Sequence, residues 1–181
     1  AVRKYTKLYD GRDPGALEVP RAEWEAAFDR IDSDLRASLQ LAAGRILAFH
    51  EKQKRESWFD AGDLGIFGQI IRPLGRVGIY TPGGSAALPS SLLMTALPAK
   101  VAGVEEIIVA APPRGDEGIP DVILAAALIA GVDRVFAIGG AQAIAALAHG
   151  TESVPQVDKI CGPGNIFVAL AKQQVSGTVA I

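Results

Sequence analysis

From Val77 onward the chain repeats one pattern: an apolar strand, a glycine-bearing turn, then a helix. The strands read Val77-Gly-Ile-Tyr80, Glu106-Ile-Ile-Val-Ala110, Arg134-Val-Phe-Ala-Ile138 and, more weakly, Val157-Asp-Lys-Ile-Cys161. Three run directly into glycine turns: Thr81-Pro-Gly-Gly84, Gly139-Gly-Ala-Gln142 and Gly162-Pro-Gly-Asn165. Strands that alternate with helices force a parallel sheet with right-handed crossovers and helices on its faces. In such a sheet, ligands bind where strand C-terminal ends meet helix N-termini. Glycine there lets the backbone approach a ligand, and the first helical amides favour an anion such as a pyrophosphate. The pattern therefore predicts an α/β fold with a nucleotide-type site at the strand ends.

Helices are predicted at about 90–103, 121–131, 141–149 and 165–175, each except the last ending at or one residue before a glycine. Gly103, Gly131, Gly150 and Gly177 all stand where helix C-terminal glycines belong, and Pro98 is expected to kink or break the first helix. Upstream the chain is helical and charged. Pro20 suits the first position of a helix through Glu23, Trp24, Ala27 and Phe28. Asp32 or Ser33 is placed to cap a longer helix to about Glu56, with Leu35, Leu39, Ala42, Ile46 and Phe49 on one face. That face suits packing on the chain's own sheet or on a partner. Asp60-Ala-Gly-Asp63 breaks the pattern, and a β-hairpin is expected from 66–71, a turn at Pro73-Leu-Gly75, and 77–80. Arg76 marks the expected boundary between two domains, 1–76 and 77–181.

The balance of 18 basic against 20 acidic residues, with no basic run, argues against nucleic acid or a membrane surface as partner. One cysteine allows no internal disulfide, which favours a reducing, cytoplasmic setting. The longest apolar stretch, around 122–130, is too short to span a bilayer, and no signal peptide is evident. The absence of an initiator Met and the apolar stop at Thr178-Val-Ala-Ile181 give the expectation of an internal segment of a longer protein.

At the strand ends, Gly139-Gly-Ala-Gln-Ala143 lacks the G-x-G-x-x-G spacing of a dinucleotide fingerprint. A double glycine alone is ordinary turn chemistry. Gln142 adds an amide at the first turn of an apolar helix, suited to bonding a ribose or phosphate. Asn165 stands at the equivalent place after Gly162-Pro-Gly164, where it also makes a good helix cap. Tyr80 ends its strand and is suited to stacking on, or bonding to, a planar ligand, or to ordinary packing. Cys161 fits a nucleophile attacking an aldehyde, but it completes an apolar strand pattern and reads better as packing. His50 and His149 lack neighbours with which to bind a metal, and no carboxylate pair reads as an acid–base couple.

Longer strings carry a resemblance. Gly78-Ile-Tyr-Thr-Pro-Gly-Gly-Ser85, Pro98-Ala-Lys-Val-Ala-Gly103, Gly139-Gly-Ala-Gln-Ala-Ile-Ala-Ala-Leu147, Gly150-Thr-Glu-Ser-Val-Pro155 and Val157-Asp-Lys-Ile-Cys-Gly-Pro-Gly-Asn165 resemble the histidinol dehydrogenase family. So does Ala171-Lys-Gln-Gln-Val175 and, more loosely, Tyr5-Thr-Lys-Leu-Tyr-Asp-Gly11. The resemblance implies a zinc-dependent enzyme that oxidises L-histidinol to L-histidine through histidinal, with hydride passing twice to NAD. It implies NAD contacts at Tyr80, Gln142 and Asn165, two related α/β domains, and an intertwined homodimer. The family's zinc ligands and its Glu and His for proton transfer fall outside this chain, so the segment alone is expected to be inactive. Two other readings stand beside it. One is a sibling NAD-dependent dehydrogenase acting on another polar alcohol, such as a sulfonated diol; the other is a non-catalytic nucleotide-binding module. The expected fold is a parallel sheet of Rossmann-like βα units, preceded by a helical segment and hairpin of a second α/β domain.

Overall fold

A computed structural model describes residues 1–9, 15–83 and 87–181, the side chain of Asp116 aside. Gly84 and Ser85 of the first glycine turn, and Asp10 and Gly11 of the N-terminal string, lie outside the described residues. The helices are α1 (Val2–Tyr9), α2 (Arg21–Arg30), α3 (Ser33–Glu51), α4 (Pro89–Val101), α5 (Asp121–Ala130), α6 (Gly140–His149) and α7 (Ile166–Val175). The strands are β1 (Trp58–Gly62), β2 (Gly65–Gln69), β3 (Arg76–Tyr80), β4 (Glu106–Ala110), β5 (Arg134–Phe136) and β6 (Lys159–Cys161).

The four strands from β3 onward form a parallel sheet in the order β5-β4-β3-β6. The chain thus winds outward from β3 to β5, then crosses back through α6 to place β6 on the other side of β3. Side-chain alternation explains why these strands are apolar throughout. Val77, Ile79, Ile107, Val109 and Val135 enter one core with α2, α3, α4 and α5. Tyr80, Ile108, Ala110, Phe136 and Ile160 enter a second, with α6 and α7 residues such as Ile144, Leu147 and Val168. Each fully buried Ile, Leu or Phe contributes about 1.5–3 kcal/mol of transfer free energy. Gly78 has no side chain because α6 leaves no room: a Cβ there would sit 3.1 Å from both Leu147 methyls.

The two ends of this sheet differ in chemistry. At the N-terminal end, Arg76 pairs with Glu106 across β3 and β4 and donates to the Gln156 carbonyl at 2.9 Å. The Arg76 amide donates to Asp158 at 2.8 Å, and the Ile107 amide donates to Asp133 at 2.7 Å. The C-terminal end carries the glycine turns. Both sheet edges gain a short addition. Leu17 and Val19 bond antiparallel to β5, where Glu18 grips Arg134 with bonds of 2.9 and 2.6 Å. Ala180 bonds parallel to β6, as the apolar pattern at 178–181 anticipates.

The helical phase is largely as read from sequence. Asp32 caps α3, accepting from the Asp34 and Leu35 amides, but α3 stops at Glu51 rather than near Glu56. Of the expected stripe, Leu39 is buried and Ala42 and Ile46 pack against the core beside Ala43, whereas Leu35 and Phe49 are 40% and 60% exposed. This helix packs on α4 and α5 of its own chain. Pro98 is accommodated inside α4, which runs past it to Val101. Gly131 closes α5 with φ 66°, its amide bonding the Leu128 carbonyl at 3.1 Å.

The hairpin expectation needs correction. The hairpin joins β1 to β2 through a tight turn at Asp63 and Leu64, with Gly62 opposite Gly65. Residues 77–80 cannot serve as its second strand, because β3 spends one edge on β4 and the other on β6. Of the stretch 60–63, read as a break, residues 60–62 end β1 and Asp63 opens the turn. By register, Trp58 and Phe67 share one face of this ribbon and Phe59 and Ile66 the other, and all four are exposed. No described helix is long and apolar enough to cross a membrane.

Candidate functional site

The strand order puts a reversal of winding direction at β3 and β6. Helices α4 and α5 join the core on one face, α6 and α7 the core on the other. Such a reversal opens a crevice between the two strand ends, the usual ligand position in this architecture. Tyr80 ends β3 and Cys161 ends β6, so the turns that follow line the crevice.

Tyr80 is buried, and its hydroxyl accepts from the Gly140 amide at 3.1 Å. The strand-end aromatic therefore fastens the first turn of α6. Gly140 has φ 64°, the left-handed region that glycine adopts freely. Gln142 folds back over it: a Cβ on Gly140 would lie 2.8 Å from the Gln142 Oε1. Gln142 is 9% exposed, and its Nε2 has no hydrogen-bond partner among the described residues. An unsatisfied buried amide costs about 1–3 kcal/mol, so a ligand acceptor reaching it recovers that deficit.

The turn after β6 is pressed against the same strand. Gly162 has φ 102°, and any Cβ there would overlap the Tyr80 carbonyl. Gly164 is equally confined, since a Cβ would overlap the Val168 side chain. Asn165 caps α7, its Oδ1 accepting from the Val168 amide at 3.1 Å, and the residue is exposed. Three backbone features thus converge: the β3 end, the Gly139-Gly140 turn and the Gly162–Gly164 turn. Tyr80 touches both turns, through its hydroxyl and its backbone. Gln142 belongs to the first and Asn165 to the second.

Sequence reading overlooked two contributors. Pro112, just after β4, stands between Gly83 and Gly139, each of which would drive a Cβ into its ring. Lys172 donates to the Gly162 carbonyl at 2.6 Å from two turns along α7. Burial pushes its ammonium below the ordinary lysine range, opposed by the nearby Cys161. The spacing was the available signal, because residues seven apart share a helix face. Cys161 itself is half-buried and packs against the α4-side core.

The residues present fit a dinucleotide. Glycine turns expose backbone amides for a pyrophosphate, the N-termini of α6 and α7 add favourable dipoles, and Gln142 offers an unspent donor. They do not fit a metal: no group of three or more His, Cys, Asp or Glu among the described residues could hold one.

Comparison with known proteins gives a consistent answer. The family model described as histidinol dehydrogenase matches residues 1–181. The histidinol dehydrogenase of Syntrophotalea carbinolica is 56% identical across the whole chain, and that of Pseudomonas aeruginosa 53%. The chain spans 42% of the length of each. The crystal structure of histidinol dehydrogenase from Elizabethkingia anophelis superposes with a TM-score of 0.94 at 36% identity, covering 99% of this chain and 42% of that one. On the strength of the whole-length match and the shared fold, this chain belongs to the histidinol dehydrogenase family.

Proposed function

We infer that this chain forms the NAD-binding half of an enzyme that oxidises L-histidinol to L-histidine through histidinal, the final step of histidine biosynthesis. The observation that carries the reading is the crevice at β3 and β6, where two glycine turns close on Tyr80 beside the unpartnered Gln142 amide. Bound NAD supplies the chemistry by accepting hydride from carbon, once at the alcohol and once at the hydrated aldehyde.

The chain's own residues bind and orient. The glycine turns hold the pyrophosphate on backbone amides, and Gln142 donates its free Nε2–H to the ribose or phosphate. Asn165 spends its Oδ1 on capping α7 and offers its Nδ2 as a donor to the same ligand. Tyr80 sets the height of the α6 N-terminus and walls the crevice. Zinc and the proton-transferring Glu and His belong to the part of the longer enzyme outside this chain.

With this reading goes a division near Arg76. Residues 77–181 make the cofactor unit, and 1–76 contribute to an additional α/β unit although α2 packs on α5 and α3 on α4 and α5. A ribbon with apolar side chains exposed on both faces supports that division, since two strands alone are barely stable in water. The reading also includes a homodimer in the cytoplasm.

The test is NADH formation by the full-length protein given zinc, NAD and L-histidinol, with a sulfonated diol as competing substrate. Turnover of histidinol, abolished by a chelator and restored by zinc, is expected. Turnover of the diol alone would make the enzyme a sibling of other specificity. Silence on both, with NAD still bound, would make it a nucleotide-binding module.

A further inference from the structure

Lys172 is a cation with an unusual set of neighbours. Its Nζ donates to the Gly162 carbonyl at 2.6 Å, and the group is half-buried. No described carboxylate lies within ion-pair distance of it. Burying an ammonium without a carboxylate is costly, and a neutral donor would hold a carbonyl with less desolvation. The arrangement makes sense if the charge itself is used.

Its position supplies the use. Asn165 and Lys172 lie seven residues apart, on one face of α7 about 10 Å along the axis. Helical side chains lean toward the N-terminus, so the lysine stem runs back toward the turn that Asn165 caps. The carbonyl it grips belongs to Gly162, the residue whose φ of 102° and contact with Tyr80 fix the turn. The ammonium therefore stands at the turn that leads into α7, where it and the positive end of the helix dipole repel each other and both favour an anion.

We propose that Lys172 is a positioning residue of the cofactor site: it pins the Gly162 carbonyl so that the amides of Gly162 and Gly164 face the pyrophosphate, and its charge remains to be neutralised by that anion. This rests on the reading of the crevice as the NAD site. Lys172 acts on cofactor affinity and leaves hydride transfer itself alone, because it touches a turn and no reacting atom.

Steady-state kinetics on the full-length enzyme separates the possibilities, using wild type, Lys172→Met, Lys172→Arg, Gln142→Ala and Asn165→Ala. The expected result for K172M is a KM for NAD raised about ten-fold, the effect of one charge-assisted hydrogen bond, with kcat within about two-fold. K172R, which keeps charge and donor, returns KM to within about three-fold of wild type. A purely structural lysine would instead lower kcat and thermal stability together and leave KM in place. Unchanged KM in K172M, or K172R no better than K172M, overturns the proposal. If Q142A and N165A also leave KM unchanged, the cofactor site has been misplaced and the failure lies there. Should K172M not fold, the wild-type enzyme decides through amine acetylation read by mass spectrometry. Saturating NAD is expected to slow modification of Lys172 several-fold; an unchanged rate overturns the proposal.

Discussion

Gly162 and Gly177 form a natural control pair, because they share a backbone conformation and differ in surroundings. Their φ angles are 102° and 96°, both unfavourable to an L side chain. A Cβ on Gly177 would meet nothing within 4 Å, whereas one on Gly162 would overlap the Tyr80 carbonyl, carbonyl carbon and amide region. Alanine at either site incurs the conformational cost of about 1–2 kcal/mol. Only at Gly162 must backbone also move against backbone, and overpacking of that kind adds about 1–3 kcal/mol. Gly162→Ala should therefore destabilise by about 2–5 kcal/mol and Gly177→Ala by about 1–2 kcal/mol. Urea denaturation of the full-length protein measures both. Because relief of the overlap shifts the turn away from β3, G162A should also raise the KM for NAD, and G177A should not. Equal destabilisation by the two, or an unaltered KM in G162A, would refute the claim that the β6–α7 turn is pressed on β3 to shape a site.

Three further outcomes are expected. Gly44 lies within α3 with open space around it, so Gly44→Ala should raise stability by about 0.5–1 kcal/mol in the same denaturation assay. Tyr80→Phe removes the acceptor of the Gly140 amide, and a loss of about 1–2 kcal/mol with weaker NAD binding by calorimetry is expected. The Arg134 guanidinium, by its hydrogen bonds, holds the Glu18 carboxyl below the usual range, so the pair's contribution is complete above the unfolded glutamate value and fades as pH falls through the lower folded one. Glu18→Gln should cost about 0.5 kcal/mol near neutrality, and its gap from wild type should close below about pH 4.3 in melting curves taken across pH.

The parallel sheet was legible because several local signals agreed on it. Runs such as Glu106–Ala110 are apolar on both faces, as strands covered by helices must be, and glycines fall at the ends of the intervening helices. The hairpin was misread because both 58–62 and 66–71 are short and apolar, and their partners depend on which strand edges remain free. Tertiary pairing had already assigned both edges of 77–80. The α3 stripe held in its middle, where Leu39, Ala42 and Ile46 meet the core, and failed at its ends, where α4 and α5 do not cover Leu35 and Phe49. Tyr80, Gln142 and Asn165 were singled out from their places at strand ends and helix starts, and those places are where the structure puts them. The wedge of Pro112 between Gly83 and Gly139 joins three separate βα turns, so no local pattern encodes it, whereas the seven-residue spacing of Asn165 and Lys172 stood in the sequence to be read.

Pro112 carries an evolutionary corollary. One pyrrolidine ring separates two turns that belong to different βα units, and it denies a methyl group to both Gly83 and Gly139. Those three positions therefore form a single unit of inheritance. While the ring is present, neither glycine is free to drift, however favourable a larger residue would be for its own loop. A lineage that exchanged Pro112 for alanine would remove the Cγ that crowds Gly83 but keep the Cβ that crowds Gly139, so the two strand-end loops would be released in turn and not together.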